Sequence, residues 1–342
     1  MQRLVLITDY LGAFYSTCRS AYPLPTMDVG RLADNFRQAG YEPQVTTYAD
    51  LDLSADLQGV PVLYTSSEDR GLEYRSWIED LVLALETSGA RTVPSYRFLR
   101  AHHNKVMMEA LRTQLFPKEA ALLRTRSFGT FEELAAVTEW AGSWPKVIKP
   151  SEGAGATNVA LVDGRNALLK AARRIGRTRD LGGTAREHAK RILRRDRHQP
   201  RSLHRQKFIV QEFVPGLSGD FKVLRFGDRF YTLWRRNRPG DFRASGSGIW
   251  DFDDTGGADR SALLDYAARI SDTLGTPTAS LDIGFDGSDF HLIEFQCIHF
   301  GTVTAEKSSQ YYVKTRGEWH SVPERCDIEA VFCQAIVQHL DR

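Results

Sequence analysis

Two carboxylates and an amide occur together in the predicted hairpin LDIGFDGSDFHLIEFQ, residues 281–296. If residues 287–289 form a three-residue loop, Asp282 pairs directly across from Glu294, and Gln296 lies on the same face because strand side chains alternate. Like charges directly opposite each other destabilise a sheet, so a stable fold would hold a cation between them. A few oxygen ligands suit Mg2+ that is shared with substrate phosphates. The alternative is that one carboxylate faces outward and no metal binds.

A glycine-rich stretch, WPKVIKPSEGAGATNVALV at residues 144–162, turns from apolar to polar and back. It lacks the Gly-Lys-Ser/Thr of a phosphate loop, and the β-branched run after the glycines does not open a helix as in a dinucleotide fingerprint. The pattern predicts strand, loop and strand, with Pro150 ending the first strand. Backbone N–H groups at Gly153 and Gly155 suit phosphate, with Lys149 as a point charge beside them. A plain turn with a solvated lysine is the alternative.

The stretch IVQEFVPG, residues 209–216, reads as an apolar strand that breaks at Pro-Gly. Backbone donors and acceptors just past a sheet are suited to the edge of a flat heterocycle. Asp220 follows at a spacing that reaches a sugar hydroxyl. An ordinary strand end with a surface carboxylate is the alternative.

Arginines cluster in RRNRPGDFRASGSG, residues 235–248, around a turn that ends in a Gly/Ser run. Arg243 precedes this run and offers planar, bidentate charge beside backbone N–H groups. That combination suits a transferring phosphoryl group or a carboxylate. Others of these arginines are expected to be solvated.

The elements that must position these groups follow two patterns. The first third alternates strand and helix (LVLITD, DVGRLADNFRQAG, PVLYTS, EYRSWIEDLVLALETSG), which predicts a small α/β unit with parallel strands. Its long connection, LGAFYSTCRSAYPLPTM, follows a strand end, where open α/β sheets bind ligands. Later segments (KFIVQEFV, DFKVLRFGDRFYTLWRR and the hairpin above) are rich in strands. Two helices, RSALLDYAARISDTLG and ERCDIEAVFCQAIVQHLD, frame the last hairpin.

Composition limits the class of protein. The chain has 342 residues, 42% hydrophobic and 26% charged, with four cysteines and no CxxC pair, which favours a globular protein of a reducing compartment and predicts a cytoplasmic location. No membrane helix or export signal is predicted. Residues 165–207 carry 15 Lys and Arg against 3 Asp and Glu. We interpret this basic segment as a solvated helical insertion. Binding of nucleic acid is the alternative, but the segment has no aromatic residue for base stacking.

Taken in order, these pieces resemble the ATP-grasp superfamily, most closely its carboxylate–amine ligases of the glutathione synthetase and ribosomal-protein glutamate ligase kind. The likeness spans about Asn104 to Gly301 and rests on HNK, VIKPSEGAGATNV, VQEFVPGLSGDFKV, RRNRPGDFRASGSG and LDIGFDG with LIEFQ. It implies an α/β fold, α+β in part, with a Rossmann-like N-terminal unit and two α+β subdomains that hold ATP between them. The expected domains are 1–115, a lid at 116–213 that contains the basic segment, and a core at 214–342.

The resemblance also implies roles for single residues. Lys105 and Lys149 would hold the nucleotide phosphates, Asp220 the ribose, and Arg243 an acyl phosphate and the tetrahedral intermediate. The remaining expected contacts are the phosphate loop at Glu152, Gly153, Ala154, Gly155 and Ala156, the adenine-reading run Gln211, Glu212, Phe213 and Val214, Lys222 beside the ribose acid, and the metal ligands Asp282, Glu294 and Gln296. ATP and Mg2+, with Mn2+ as a substitute, are the expected cofactors.

Three departures from the family stand out. Gln296 replaces the usual asparagine at the third metal position and is one methylene longer. Asp220-Phe221-Lys222 replaces Asp-x-Arg, which loses a bidentate fork. Gln296 to Gly301 replaces the usual Asn-x-x-Pro-Gly turn, so the backbone donor to the oxyanion is expected elsewhere.

The implied reaction has two steps: ATP converts a carboxylate to an acyl phosphate, and an amine then displaces phosphate. Such chemistry needs positioning and charge neutralisation more than a nucleophilic side chain. His299, beside the metal strand, is a candidate acceptor for the amine's proton, although a lone histidine is more often packed or solvated. A kinase acting on a small-molecule hydroxyl, or a non-catalytic nucleotide- or nucleic-acid-binding protein, would share these features. The expected partners are a small carboxylate and an amine, with no membrane; the relatives suggest a homodimer.

Overall fold

Four parallel strands form the first sheet, in the order β2-β1-β3-β4. The computed structural model describes residues 1–18, 26–69, 71–140, 142–153, 158–178, 182–183, 185–187 and 201–342. The first elements are β1 (Gln2–Thr8), α1 (Val29–Gln38), β2 (Tyr41–Thr47), β3 (Pro61–Tyr64), α2 (Glu73–Thr87), β4 (Arg91–Val93) and α3 (Tyr96–Ala101). Asp28 caps α1 by accepting the N–H of Arg31. The predicted parallel α/β arrangement is confirmed, and β2 and β4 extend it beyond the two predicted strands.

An antiparallel sheet follows, in the order β5-β8-β6-β7. Its segment contains α4 (Lys105–Leu115), α5 (Pro117–Leu122), β5 (Thr125–Phe128), α6 (Phe131–Ala135), β6 (Lys146–Pro150), β7 (Ala160–Val162), α7 (Arg165–Ile175) and β8 (Phe208–Glu212). Thr130 and Glu133 form a capping box that starts α6. Apolar side chains of α6 and α7 pack on this sheet in a core of their own. The middle of the basic segment 165–207 lies outside the described residues.

A larger antiparallel sheet occupies the last third, in the order β13-β12-β9-β10-β14-β15, with β11 paired to β10. Its segment contains β9 (Gly219–Phe226), β10 (Arg229–Arg236), β11 (Trp250–Asp251), α8 (Arg260–Leu274), β12 (Thr278–Phe285), β13 (Phe290–Gln296), α9 (Val303–Lys307), β14 (Tyr311–Thr315), β15 (Glu318–Val322) and α10 (Ile328–Leu340). A two-residue turn at Gly227 and Asp228 joins β9 to β10, because Phe226 pairs with Arg229.

The chain packs as two units. Residues 1–102 and 216–342 form unit 1, and residues 103–215 form unit 2. Within unit 1, side chains from β1, β3, β9 and α10 share one hydrophobic core, so the two ends of the chain fold together. The division into domains at 115/116 and 213/214 stays a prediction. No helix among the described residues is long and apolar enough to cross a membrane.

Candidate functional site

The first lysine predicted to hold phosphate lies against the glycine-rich loop of unit 2. Lys105, at the start of α4, is 8% exposed, and its Nζ donates to the carbonyl oxygen of Gly153 at 3.1 Å. Its backbone N–H donates to Ser151 O at 2.9 Å, and the Ser151 hydroxyl donates to the α4 cap residue, Asn104, at 3.1 Å. These hydrogen bonds therefore connect the start of α4 to the glycine-rich loop. Gly153 has φ of 118°, which side-chain-bearing residues avoid.

The loop itself is only partly described. β6 and β7 form the predicted strand–loop–strand, with Ile148 paired to Ala160. Glu152 and Gly153 are exposed at its start. Ala154, Gly155 and Ala156 lie outside the described residues, so their phosphate contacts stay a prediction.

The second lysine, Lys149 at the end of β6, is half-buried, and its Nζ donates to the side-chain oxygen of Gln211 at 2.6 Å. Gln211 lies on β8 with 3% of its surface exposed. The nitrogen of its side-chain amide faces Thr125 Oγ1 at 3.1 Å and Glu109 Oε1 at 3.4 Å. The Gln211 side chain therefore points into the unit, toward Lys149.

β8 ends at Glu212, and Phe213 and Val214 follow it, half-buried. The Glu212 N–H donates to Arg124 O at 2.9 Å, so this residue still takes part in the hydrogen bonding of the sheet. Phe213 and Val214 lie between this strand end and Pro215, as predicted for a segment that meets adenine. Their contact with adenine stays a prediction.

In unit 1, one face of the large sheet is polar across four neighbouring strands. Register places Arg235 across from Asp220, Lys222 across from Asp282, and Asp282 across from Glu294. Alternation then puts one set of polar side chains on this face: Asp220, Lys222, Arg235, Ser280, Asp282, Glu294 and Gln296. The opposite face is apolar and fully buried, with Phe221, Val223, Leu281 and Ile283.

The predicted pairing of Asp282 with Glu294 is confirmed, but the predicted three-residue loop is wrong. Phe285 pairs with Phe290, so the loop has four residues, 286–289. The register then shifts between Asp282 and Ile283. This bulge returns Asp282 to a position across from Glu294.

Arg235 connects two of the carboxylates on the polar face. Its Nε and Nη2 donate to Asp220 Oδ1 and Oδ2 at 2.7 and 2.9 Å, and Nη2 also lies 2.8 Å from Asp282 Oδ2. Burial raises the pKa of Asp220 to about 6, although the charge of Arg235 lowers it. Burial also raises the pKa of Asp282, but the charges of Arg235 and Lys222 outweigh it and bring that pKa to about 2.

Glu294 has a different environment. It is half-buried, and among the described residues no cationic side chain pairs with it. Its Oε1 accepts the side-chain amide of Gln296 at 3.3 Å, which leaves the Gln296 oxygen pointing elsewhere. Lys222 compensates Asp282 at 3.5 Å and donates to Ser280 at 2.9 Å.

Comparison with known proteins gives the fold. No protein-family model and no curated protein matches the sequence. The structure of the D-cycloserine synthetase DcsG is similar over 99% of each chain, with 16% identity and a TM-score of 0.53. Glycinamide-RNase-transformylase T from Mycobacterium tuberculosis is similar over 98% of this chain and 81% of its own, with 14% identity and a TM-score of 0.50. The chain has the ATP-grasp fold. A RimK domain ATP-grasp protein from Sphaerobacter thermophilus DSM 20745 also matches, with 16% identity over 87% of this chain and 92% of its own, at a TM-score of 0.46.

Within this ATP-grasp fold, Arg243 lies in the loop after β10 and pairs with Asp241. Its Nε lies 2.9 and 3.0 Å from the two carboxylate oxygens of Asp241, and its Nη2 lies 2.6 Å from one of them. The hydrogen bonds to Asp241 raise the pKa of Arg243 above its usual value. The Gly/Ser run is a turn in which the Ser247 N–H donates to Ala244 O at 3.0 Å. This backbone N–H already has a hydrogen-bond acceptor within the turn. The role of Arg243 toward an acyl phosphate stays a prediction.

His299 lies at the edge of the parallel sheet, where β1 and β3 end. Its Nδ1 is 2.7 Å from the hydroxyl of Thr65, and its ring is 5.8 Å from that of Tyr15. His299 and Tyr15 have φ of 49° and 58°, conformations that non-glycine residues adopt at some cost. A second imidazole, His102, is fully buried 5.9 Å from His299. Its Nδ1 lies 3.1 Å from the Ser66 hydroxyl.

Sequence reasoning missed several residues of these sites. Thr65 and Ser66 end the predicted strand PVLYTS, so the rule that ligands bind past strand ends would have found them. His102 precedes the HNK stretch without any pattern of its own. Arg235 was only one of several arginines. Asp220 lies on the preceding strand, but Asp282 lies on a strand distant in sequence.

Proposed function

We propose that this chain is an ATP-dependent ligase that converts a carboxylate to an acyl phosphate and joins it to an amine, releasing ADP and phosphate. One observation carries the proposal: Asp282 and Glu294 lie directly across from each other on β12 and β13, with Gln296 on the same face. Such a group of oxygens suits a metal that neutralises a triphosphate.

Unit 2 would bind the nucleotide through two lysines and a strand end. In unit 2, Lys105 and Lys149 would bind the phosphates, and the run from Glu212 to Val214 would meet adenine through its backbone. Lys105 Nζ donates to Gly153 O, and Lys149 Nζ donates to the side-chain oxygen of Gln211.

The metal residues fit Mg2+, with Mn2+ as a substitute. Glu294 is half-buried and has no counter-ion among the described residues, and it adjoins the carboxylate of Asp282. Asp282, Glu294 and Gln296 would hold the ion. When bound, it would neutralise phosphate oxygens and make the terminal phosphorus more electrophilic. Arg235 and Lys222 also pair with Asp282, so they would weaken the attraction between this carboxylate and the metal ion.

The remaining residues would act on the substrates. A carboxylate oxygen bonds to the terminal phosphorus of ATP while the bond to the bridging oxygen breaks, and ADP leaves. The amine nitrogen then bonds to the acyl carbon, phosphate leaves, and the nitrogen loses a proton. Arg243 would leave Asp241 to stabilise the acyl phosphate, and His299 would take the proton.

A screen for ADP formation against paired carboxylates and amines tests the proposal, with Lys149→Ala as the inactive control. A ligase releases inorganic phosphate only when both substrates are present. A stable phosphorylated product without an amine would instead identify a kinase. Trapping with hydroxylamine would convert an acyl phosphate to a hydroxamate and reveal the first step alone.

A further inference from the structure

A buried polar network lies behind Lys149 in unit 2. It joins four residues that the sequence analysis did not connect to the lysine: Glu109 and Arg112 from α4, Thr125 from β5 and Gln211 from β8. Glu109 is 7% exposed and Arg112 is 1% exposed. The Arg112 Nε donates to Glu109 Oε2 at 2.9 Å, and Nη2 contacts the same oxygen. This ion pair fixes Glu109 inside the unit.

The network determines which way the Gln211 amide points. Its nitrogen donates to Glu109 Oε1 at 3.4 Å and to Thr125 Oγ1 at 3.1 Å. Thr125 accepts because its own hydroxyl hydrogen is directed at Leu123 O, 3.3 Å away. A flipped amide would set its oxygen against the Glu109 carboxylate and its nitrogen against the Lys149 ammonium. Both contacts would be repulsive, so the oxygen must face Lys149.

The choice of an amide at position 211 has an electrostatic consequence. A carboxylate there would hold Lys149 as firmly but would neutralise its charge. The amide oxygen accepts a hydrogen bond from the ammonium at 2.6 Å and is itself uncharged. The Glu109 carboxylate accepts hydrogen bonds from the Gln211 amide and from Arg112.

We propose that Glu109 and Gln211 are positioning residues that aim the Lys149 ammonium at the nucleotide, with Glu109 acting through Gln211. The inference rests on the proposed phosphate-binding role of Lys149. It predicts that Glu109 influences nucleotide affinity although two side chains separate it from the ligand. It also predicts that this influence disappears once Gln211 or Lys149 is replaced.

The test is a mutant cycle read by calorimetric titration with a non-hydrolysable ATP analogue and Mg2+. Glu109→Gln, Gln211→Met and the double variant are made with Lys149 intact and in a Lys149→Met background. Each single change should weaken binding about tenfold, the loss expected for a hydrogen bond to a charged group. The double variant should bind no more weakly than the weaker single variant. With Lys149→Met, neither change should alter affinity further. Gln114→Met, exposed on α4, is the matched control and should bind normally.

Thermal melting of each variant separates positioning from simple destabilisation. If Glu109→Gln does not fold, Thr125→Val replaces it, because it also removes an acceptor from the Gln211 amide. Lowered melting temperatures with unchanged nucleotide affinity would overturn the positioning role, as would additive losses in the double variant. Normal affinity in Lys149→Met itself would instead remove the phosphate role of that lysine, and this inference with it.

Discussion

Arg235 lies directly across from Asp220 and donates two hydrogen bonds to its carboxylate, while the same guanidinium lies 2.8 Å from Asp282. The Arg235 guanidinium thus forms ion pairs with two carboxylates that lie on adjacent strands. Both strands belong to the polar face that also carries Glu294. The arrangement places two like charges beside one guanidinium.

Replacing Arg235 by methionine should destabilise the protein by about 3 to 5 kcal/mol, because it leaves the buried Asp220 carboxylate without its partner. Among the described residues, Asp282 would then pair with Lys222 alone. The measurement is urea unfolding at neutral pH. Arg236→Met is the matched control. Its pair with Asp254 is 56% exposed on the arginine side, so the loss should stay within about 1 kcal/mol. Equal losses in the two variants would contradict the central role of Arg235.

Replacing Lys105 by methionine should weaken nucleotide binding by about tenfold or more, since a charged donor to phosphate is lost. Folding should change little, because Lys105 Nζ makes one described hydrogen bond to Gly153 O. A fluorescent ATP analogue reports the affinity, and Lys118→Met, exposed on α5, serves as control. Unchanged affinity in the Lys105 variant would remove this lysine from the phosphate site.

The turn between β12 and β13 predicts a dependence of stability on pH. Asp286 accepts the N–H of Asp289 and of Ser288 and contacts His291 Nε2 at 2.8 Å. The Asp289 N–H is the main cause that lowers the pKa of Asp286 well below its usual value, against a smaller effect of burial. The folded pKa lies below the unfolded one, so this stabilisation is present above about pH 4 and declines as pH falls further.

Asp286→Asn should therefore be less stable than the natural protein at pH 7, and the difference should shrink as the pH is lowered from 5 to 3. Thermal melting across this range measures it. Asp228→Asn, at the exposed second residue of the Gly227–Asp228 turn, should show no comparable trend. A difference that stays constant with pH would show that the Asp286 carboxylate is not the group responsible.

His299→Gln should slow amide formation more than the first step. Without an acceptor for its proton, an ordinary amine reacts poorly, whereas hydroxylamine is already neutral at pH 7 and needs less help. The ratio of hydroxamate to amide product, measured once a carboxylate substrate is known, should rise in the variant. The same fall in both products would show that His299 only supports the fold around Thr65 and Tyr15.

Much of the fold follows from the sequence, because it depends on local patterns. Alternating strands and helices predict the parallel sheet, and the strand-rich later segments contribute to the antiparallel sheets. The pairing of Asp282 with Glu294 is correct for an incomplete reason. The loop is one residue longer than predicted and a bulge compensates for it, and no sequence rule indicates where a bulge falls.

The contacts between distant segments could not be predicted. Arg235 meets Asp282 because β9 lies between β10 and β12. The order of strands in a sheet cannot be predicted from any single segment of the sequence. In the same way, Gln211 meets Glu109 because α4 packs on β8. The family pattern identifies Gln211 as part of an adenine-reading run, whereas its side chain turns inward to Lys149.

The most direct test is calorimetry of nucleotide binding with and without magnesium. The natural protein should bind a non-hydrolysable ATP analogue at least about tenfold more tightly in Mg2+ than in EDTA. Glu294→Gln should lose this difference while melting normally, and Glu318→Gln, exposed on β15, should keep it. Equal binding in Mg2+ and EDTA by the natural protein, or no heat at all, would contradict a magnesium-nucleotide site built on Asp282 and Glu294.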